Sequence, residues 1–293
     1  MQRKYKVAVL VLLILGVLLA LGLYLHGHTI AVLQPKGVIG QKERQLMIYA
    51  ALLGLIVILP VYAMTFAIVV KYREGNKKKA KYSPEFDHHA GIEFIWWAVP
   101  FIIIMVLAVI TWNSSHTLDP YRAISSTTKP IQIQVVALDW KWLFIYPAQN
   151  IASVNFVQFP ANTPVNFEIT SDSVMNSFWI PQLGGQIYAM PGMATQLNLE
   201  ASQNGNYNGS SANISGEGFA GMTFTARASS SADFAKWIQA AKHSPNKLDL
   251  DSYNSLAKPS QNNSASYYAS EDHGLYDTIV MKYMEPTLGV STP

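Results

Sequence analysis

The side chains able to do chemistry are few and unevenly placed. No cysteine occurs in the 293 residues, which excludes disulfides, thiolate-bound zinc, iron–sulfur clusters and a lipid-modified N-terminal cysteine. Seven histidines are present, but none lies between Thr117 and Lys242, so that long stretch offers no imidazole ligand. Glu93 is the acidic residue to weigh. It opens an apolar run in the spacing Glu-x3-Trp-x2-Pro, with Trp97 and Pro100. A carboxylate at the end of a membrane helix is most often interfacial, or favourable at a helix N-terminus. His88 and His89 precede the run and read as exposed loop histidines with no function attached. Trp140 and Trp142, two apart in Leu138-Asp-Trp-Lys-Trp-Leu-Phe-Ile-Tyr146, fall on one face of a strand, with Leu143, Phe144 and Ile145 alternating beyond them.

The elements that must position these residues divide the chain into unlike halves. Hydrophobic residues make up 50% of it and charged ones 13%, an average over both. Val7 to Leu25, Leu46 to Val70 and Phe94 to Trp112 carry no charged residue, and the second and third contain Pro60 and Pro100. About 19 helical residues cover the roughly 30 Å hydrocarbon core, so the three runs predict transmembrane helices. The prolines are tolerated because neighbouring helices satisfy the freed carbonyls. Lys71, Arg73, Lys77, Lys78, Lys79 and Lys81 lie between the second and third runs, and Arg3, Lys4 and Lys6 precede the first. Both clusters belong on the cytoplasmic side. The N-terminus is then inside, and everything after about residue 114 outside. The first run also admits reading as a cleaved signal, but its apolar length exceeds the usual h-region of roughly 7–15 residues and no clean A-x-A site follows.

From Lys129 onward the period changes to two. Ile131, Ile133 and Val135 alternate with Gln132 and Gln134; Val165, Phe167 and Ile169 repeat the pattern, as do Leu197 with Leu199 and Met222 with Phe224. Turn signals separate the runs at Pro160-Ala-Asn, Gly184-Gly185, Pro191-Gly192 and the Gly/Asn/Ser-rich stretch from Asn204 to Gly218. Short strands without intervening helices predict a β-sandwich or barrel of about 100 residues. After Ala232 the spacing of Phe234, Trp237, Ile238 and Ala241 is helical, and Tyr253, Tyr267, Tyr268, Tyr276 and Tyr283 follow. This aromatic tail is either an appendage packed on the sandwich or a docking surface; the sequence leaves both open.

The order of two apolar helices, the Leu138–Tyr146 strand and Val174-Met-Asn-Ser-Phe-Trp-Ile-Pro181 resembles subunit II of the haem–copper terminal oxidases. The resemblance implies an exported cupredoxin-like sandwich that, in cytochrome c-oxidising members, binds two coppers. Those members supply a histidine before the Ser-x-Trp-x-Pro-like stretch and a loop reading C-x-E-x-C-x3-H-x2-M. Aligned on Met222, the loop here places Ser211 and Ser215 at the cysteines, Asn213 at the glutamate and Phe219 at the late histidine, with Asn176 at the early histidine. A thioether with serine hydroxyls does not hold copper in a dinuclear or blue-copper geometry, so no metal ligand is expected in this chain. In copper-containing relatives a tryptophan of the aromatic strand helps receive electrons; without copper, Trp140 and Trp142 read as packing.

A copper-free sandwich is similar to the quinol-oxidising branch of the family. Gln34-Pro-Lys-Gly-Val-Ile-Gly, Asp139-Trp-Lys-Trp with Phe144-Ile-Tyr-Pro, Ser173-Val-Met-Asn-Ser-Phe and Gly218-Phe-Ala-Gly-Met-Thr-Phe resemble the second subunit of bacterial cytochrome bo-type ubiquinol oxidases. The aromatic tail matches an extension of that group. Relatives often carry a lipoprotein cysteine near the end of the first run; Ala20 to His28 offers none.

The expected architecture is a membrane α-helical anchor followed by an all-β cupredoxin-like sandwich and a helical, aromatic-rich C-terminal extension. The anchor is a two-helix hairpin plus an extra N-terminal helix. Its divisions are 1–28 (N-terminal transmembrane helix or signal segment), 29–115 (hairpin), 125–230 (copper-free sandwich) and 231–293 (extension). The resemblance implies subunit II of a proton-translocating ubiquinol oxidase in the bacterial inner membrane, with the sandwich periplasmic. No catalytic, cofactor-binding or metal residue is expected in this chain, the haems and copper belonging to a large subunit I. Subunits III and IV and membrane lipids would be its other partners, ubiquinol the substrate of the complex, and cytochrome c and nucleic acid no partners. In the family a glutamate placed like Glu93 lies at the mouth of a proton-uptake path into the large subunit. The rival readings are a copper-free membrane-tethered binding or oxidase assembly module, and subunit II of a menaquinol oxidase.

Overall fold

The computed structural model describes residues 16–17, 19–20, 22–24, 30–73, 85, 87–270 and 272–284. The expected N-terminal helix over 1–28 and the lysines at 77–79 and 81 lie almost wholly outside the described residues. The chain divides into two units, residues 42–122 and the remainder.

The first unit is built on α1 (Val38–Tyr72) and α2 (Ala90–Thr117), 35 and 28 residues long and both apolar enough to cross a membrane. They are roughly 52 and 42 Å in length and overrun the apolar stretches at both ends. Pro60 and Pro100 sit inside them without ending either helix. Phe66, Phe94, Trp97 and Trp112 expose their rings. Faces this apolar all round demand lipid or partner helices.

The second unit is a sandwich of two sheets, its strands being β1 (Ile131–Leu138), β2 (Lys141–Tyr146), β3 (Ile151–Val154), β4 (Phe156–Pro160), β5 (Val165–Ser171), β6 (Asn176–Trp179), β7 (Ile187–Ala189), β8 (Thr195–Leu199), β9 (Gly205–Ser211), β10 (Thr223–Ser229) and β11 (Ser266–Tyr268). One sheet runs β11-β3-β2-β1-β5-β8 and the other β4-β10-β9-β6-β7. β1 pairs in parallel with β5, and β4 with β10; the remaining pairs are antiparallel. Alternation decides what lies between the sheets: Val135, Trp142, Phe144, Tyr146 and Phe167 point inward to meet Phe178 and Phe224. The Phe178 and Phe224 rings stack at 5.1 Å, and the Trp142 indole meets Phe178 edge-on at 5.3 Å.

Two sequence expectations are corrected. Trp140 is not on the strand with Trp142; β2 starts at Lys141, and Trp140 sits in the turn before it while still packing on the inner core. The Asn204–Gly218 stretch is not simply a loop, because β9 occupies Gly205–Ser211. Its lack of bulk is what the packing needs. Gly209 faces Phe224 across the pair with β10, and a Cβ at Gly209 would lie 2.1 Å from that ring; a glycine in a strand marks such a close approach.

The opposite face of the first sheet is also apolar across β1, β2 and β3: Val136, Leu138, Leu143, Ile145, Ala152 and Val154. This is why β2 is buried along its whole length. The cover comes from the aromatic tail, folded as α3 (Ser231–Lys242), α4 (Leu250–Leu256), β11 and α5 (Leu275–Met281). Tyr253, Leu275, Tyr276, Ile279 and Val280 close over that face, each apolar side chain contributing about 1.5–3 kcal/mol when fully buried. Of the two readings of the tail, the structure shows the packed appendage.

Two buried charges fasten the tail. The Lys141 ammonium, 1% exposed as a residue, donates to the carbonyls of Asp139 and Lys258 and to Ser260 Oγ at 3.0, 2.8 and 2.6 Å; burial pulls its pKa below the ordinary lysine value. The Asp172 carboxylate, its side chain 1% exposed, pairs with the Lys282 ammonium at 2.7 Å. It also accepts from the hydroxyls of Tyr253 at 2.5 Å and Tyr283 at 2.6 Å. Charges buried this deeply persist only when paired and hydrogen-bonded.

The segment before α1 and the first turn of α1 also belong to the sandwich unit. The amides of Lys36 and Gly37 donate to the Gln182 carbonyl, Val38 to Glu200 and Gly40 to Leu183, and the Ser202 amide donates back to Lys36. Gly37 bridges Ala201, and Ile39 packs on the inner core.

Candidate functional site

The loops expected to resemble a copper site come together at one end of the sandwich. Asn176 opens β6 and is fully buried, Ser211 closes β9, and Met222 precedes β10 with 1% exposure. Hydrogen bonds join them where metal bonds would otherwise be needed. The Ser211 hydroxyl lies 3.0 Å from Asn176 Oδ1 and 3.2 Å from the Asn213 carbonyl, two acceptors for its one hydrogen. Asn176 Nδ2 donates to the Val174 carbonyl at 2.8 Å, and Asn213 Nδ2 to Met175 at 3.0 Å. The Ser211 amide donates to the Met222 carbonyl.

Trp140 closes the same end. Its Nε1 donates to the Ser215 carbonyl at 3.1 Å, and its ring lies over Gly218, where a Cβ would stand 2.5 Å from it. Gly216 adopts φ 114°, open to glycine at little cost. The Ser215 hydroxyl is buried without a hydrogen-bond partner. The donor set is hydroxyl, amide and thioether, with the hydroxyl of Ser211 and the amides of Asn176 and Asn213 already engaged. It does not fit a thiolate–imidazole copper centre. Among the described residues no three His, Asp or Glu side chains converge anywhere.

Glu93 lies in the other unit, in the first turn of α2. The two histidines before it are not idle. His89 is the N-cap, its Nδ1 accepting from the Ile92 amide at 3.3 Å, while its own amide donates to Glu93 Oε1 at 3.2 Å. This is the reciprocal logic of a capping box, with the acid one residue later than usual. His88 Nδ1 reaches the same Glu93 oxygen at 2.5 Å, and the Glu93 side chain is one-third exposed. Sequence reasoning passed over both histidines. The signal was only partial: an acid lies four residues on, but histidine is not one of the short polar residues that usually cap a helix.

Family models match three consecutive parts of the chain: the transmembrane domain of cytochrome c oxidase subunit II over residues 38–113, its periplasmic domain over 147–229, and the COX Aromatic Rich Motif over 242–287. The cytochrome bo(3) ubiquinol oxidase subunit 2 of Pseudomonas putida is 52% identical over 269 residues, covering 92% of this chain and 85% of that protein. The chain belongs to the ubiquinol oxidase subunit II family. The ubiquinol oxidase subunit 2 of Acetobacter aceti is 47% identical over 267 residues, covering 90% and 86%. The quinol oxidase subunit 2 of Bacillus anthracis is 37% identical over 243 residues, covering 82% and 84%. As a member of the subunit II family the chain is anchored by α1 and α2, and its sandwich is the family's periplasmic domain.

Proposed function

We propose that this chain is the second subunit of a proton-translocating oxidase that passes electrons from ubiquinol to O2 in a bacterial inner membrane. The single observation that carries this reading is the sandwich end where Asn176, Ser211 and Asn213 bond to one another on an otherwise intact subunit II scaffold. A periplasmic electron relay is dispensable when the donor is a membrane quinol. The chain itself holds no redox centre; haems, copper and the quinol site belong to a large subunit I, with subunits III and IV completing the complex. The N-terminus is cytoplasmic and the sandwich periplasmic, in keeping with the basic residues between α1 and α2.

The chain's active contribution is proton uptake at Glu93. Its carboxylate stands at the start of α2, one-third exposed and in contact with the His88 imidazole. The test of the whole reading is purification through a tag on this chain from detergent-solubilised membranes. Co-purifying haem, with oxygen uptake driven by ubiquinol and not by reduced cytochrome c, is the expected result. A haem-free eluate, with the oxidase activity left in the unbound fraction, would overturn it in favour of a tethered binding module.

A further inference from the structure

Four of the ten methionines fall in two Met-x2-Met spacings, Met190-Pro-Gly-Met193 and Met281-Lys-Tyr-Met284, which the site described above leaves unused. Met193, Met281 and Met284 are exposed and Met190 is half-buried. Side chains this far out of the core add little packing, so their sulfur is the property to weigh. Each spacing is a closed turn. The Met193 amide donates to the Met190 carbonyl at 3.3 Å, and Gly192 at φ 71° supplies the positive φ that a Pro-Gly type II turn requires. The Cα atoms at the two ends of such a turn lie under about 7 Å apart. The Met284 amide donates to the Met281 carbonyl at 2.9 Å. This carries helical spacing past the end of α5 and sets the two side chains roughly 5–6 Å apart at Cβ.

The fold presses the two turns together. A Cβ at Gly192 would lie 3.2 Å from Tyr283 Cβ and 3.4 Å from the Tyr283 carbonyl oxygen, so the third residue of one turn rests on the third residue of the other. Tyr283 is held in place, because its hydroxyl donates to Asp172 at 2.6 Å. Lys282, inside the second spacing, is paired with the same carboxylate at 2.7 Å, which offsets its charge. Four thioethers thus stand within two residues of a single contact, on unbranched side chains whose three rotatable bonds let them adapt. Thioether sulfur is a soft donor suited to Cu(I), whereas carboxylates, carbonyls and water suit Mg and Ca.

We propose that the two turns form a surface site that takes up one Cu(I) ion through the thioethers of Met190, Met193, Met281 and Met284. It is separate from the aligned copper loops and from any electron or proton path. Copper carried on surface side chains exchanges freely, so the fold does not depend on it. To test this, the full chain, isotope-labelled at its methionine methyl groups, is titrated in detergent with Cu(I) in the absence of oxygen, against a coloured competing chelator. One Cu(I) per chain should leave the chelator, and the methyl signals of the four residues should move together. The Met193→Leu/Met284→Leu variant, which nearly conserves side-chain volume, should bind at least roughly tenfold more weakly, the loss that follows when even an outer partner of a metal ligand is removed. Met222→Leu, in the aligned loop, should leave uptake unchanged. No transfer of Cu(I), movement of only one pair of signals, an affinity unchanged in the double variant, or a loss that follows Met222→Leu instead would each overturn the proposal.

Discussion

At Asp172 a single carboxylate gathers two tyrosine hydroxyls and an ammonium from the last third of the chain. Asp172→Asn removes the charge and leaves those donors short of an acceptor. It should cost about 2–4 kcal/mol, read as a lower unfolding midpoint in intrinsic fluorescence. The same cluster sets an alkaline limit. Tyr283 is pushed up from 10.0 to about 12 by burial, then by its bond to Asp172 and that carboxylate's charge. A phenol whose folded pKa is raised stays protonated longer in the folded state. Its contribution is therefore complete below pH 10 and is lost as pH climbs towards 12. Melting of the tail should move to lower temperature across that window. Glu93 is the residue with a rate attached. Glu93→Gln should slow ubiquinol-driven oxygen uptake by roughly tenfold, short of the usual 10²–10⁴ for a general acid or base because water reaches a carboxylate that is one-third exposed. Unchanged turnover in the purified complex would remove its assigned role.

Among the elements, the junction of residues 36–40 with the sandwich leaves no room for a side chain at Gly37. A Cβ at Gly37 would stand 2.6 Å from the Leu183 carbonyl oxygen and 2.8 Å from that of Glu200, backbone atoms that cannot swing aside. Gly37→Ala should destabilise the sandwich by about 1–3 kcal/mol. Gly40→Ala, whose nearest neighbour is the Pro35 side chain at 3.1 Å, should be milder in the same thermal scan. Nothing in the local sequence marks Gly37 as a joint, since its partners lie near residues 183 and 200. The membrane helices were legible because an uninterrupted apolar run is a local signal, as were the strands where Ile131, Ile133 and Val135 alternate. β9 was opaque because Gly209 is there for the Phe224 ring, a neighbour known only after pairing. The degenerate loops were readable as residue types, whereas the bonds that now join Asn176, Ser211 and Asn213 were not. The His89 cap and its link to Glu93 were both overlooked, because histidine is not a usual N-cap residue.

For the molecule as a whole, stability should owe nothing to a metal. Anything that binds only the folded state raises the unfolding midpoint; a strong chelator should thus leave the midpoint of the sandwich unchanged, and a downward shift would reveal a ligand set outside the aligned loops. The tail serves the whole by covering the outer face of β1, β2 and β3, which would otherwise be apolar and wet. A different consequence follows from the backbone bonds that residues 36–40 make to the Gln182–Leu183 turn and to Glu200. Sequence order misrepresents where the sandwich begins. A fragment cut cleanly after the second helix would lack one of its own edges, leaving the carbonyls of Gln182, Leu183 and Glu200 bare and the seat of Ile39 vacant. A detached peptide spanning 34–41 should then bind such a fragment in trans and restore its stability, so that an apparent linker behaves as a separable component of the domain.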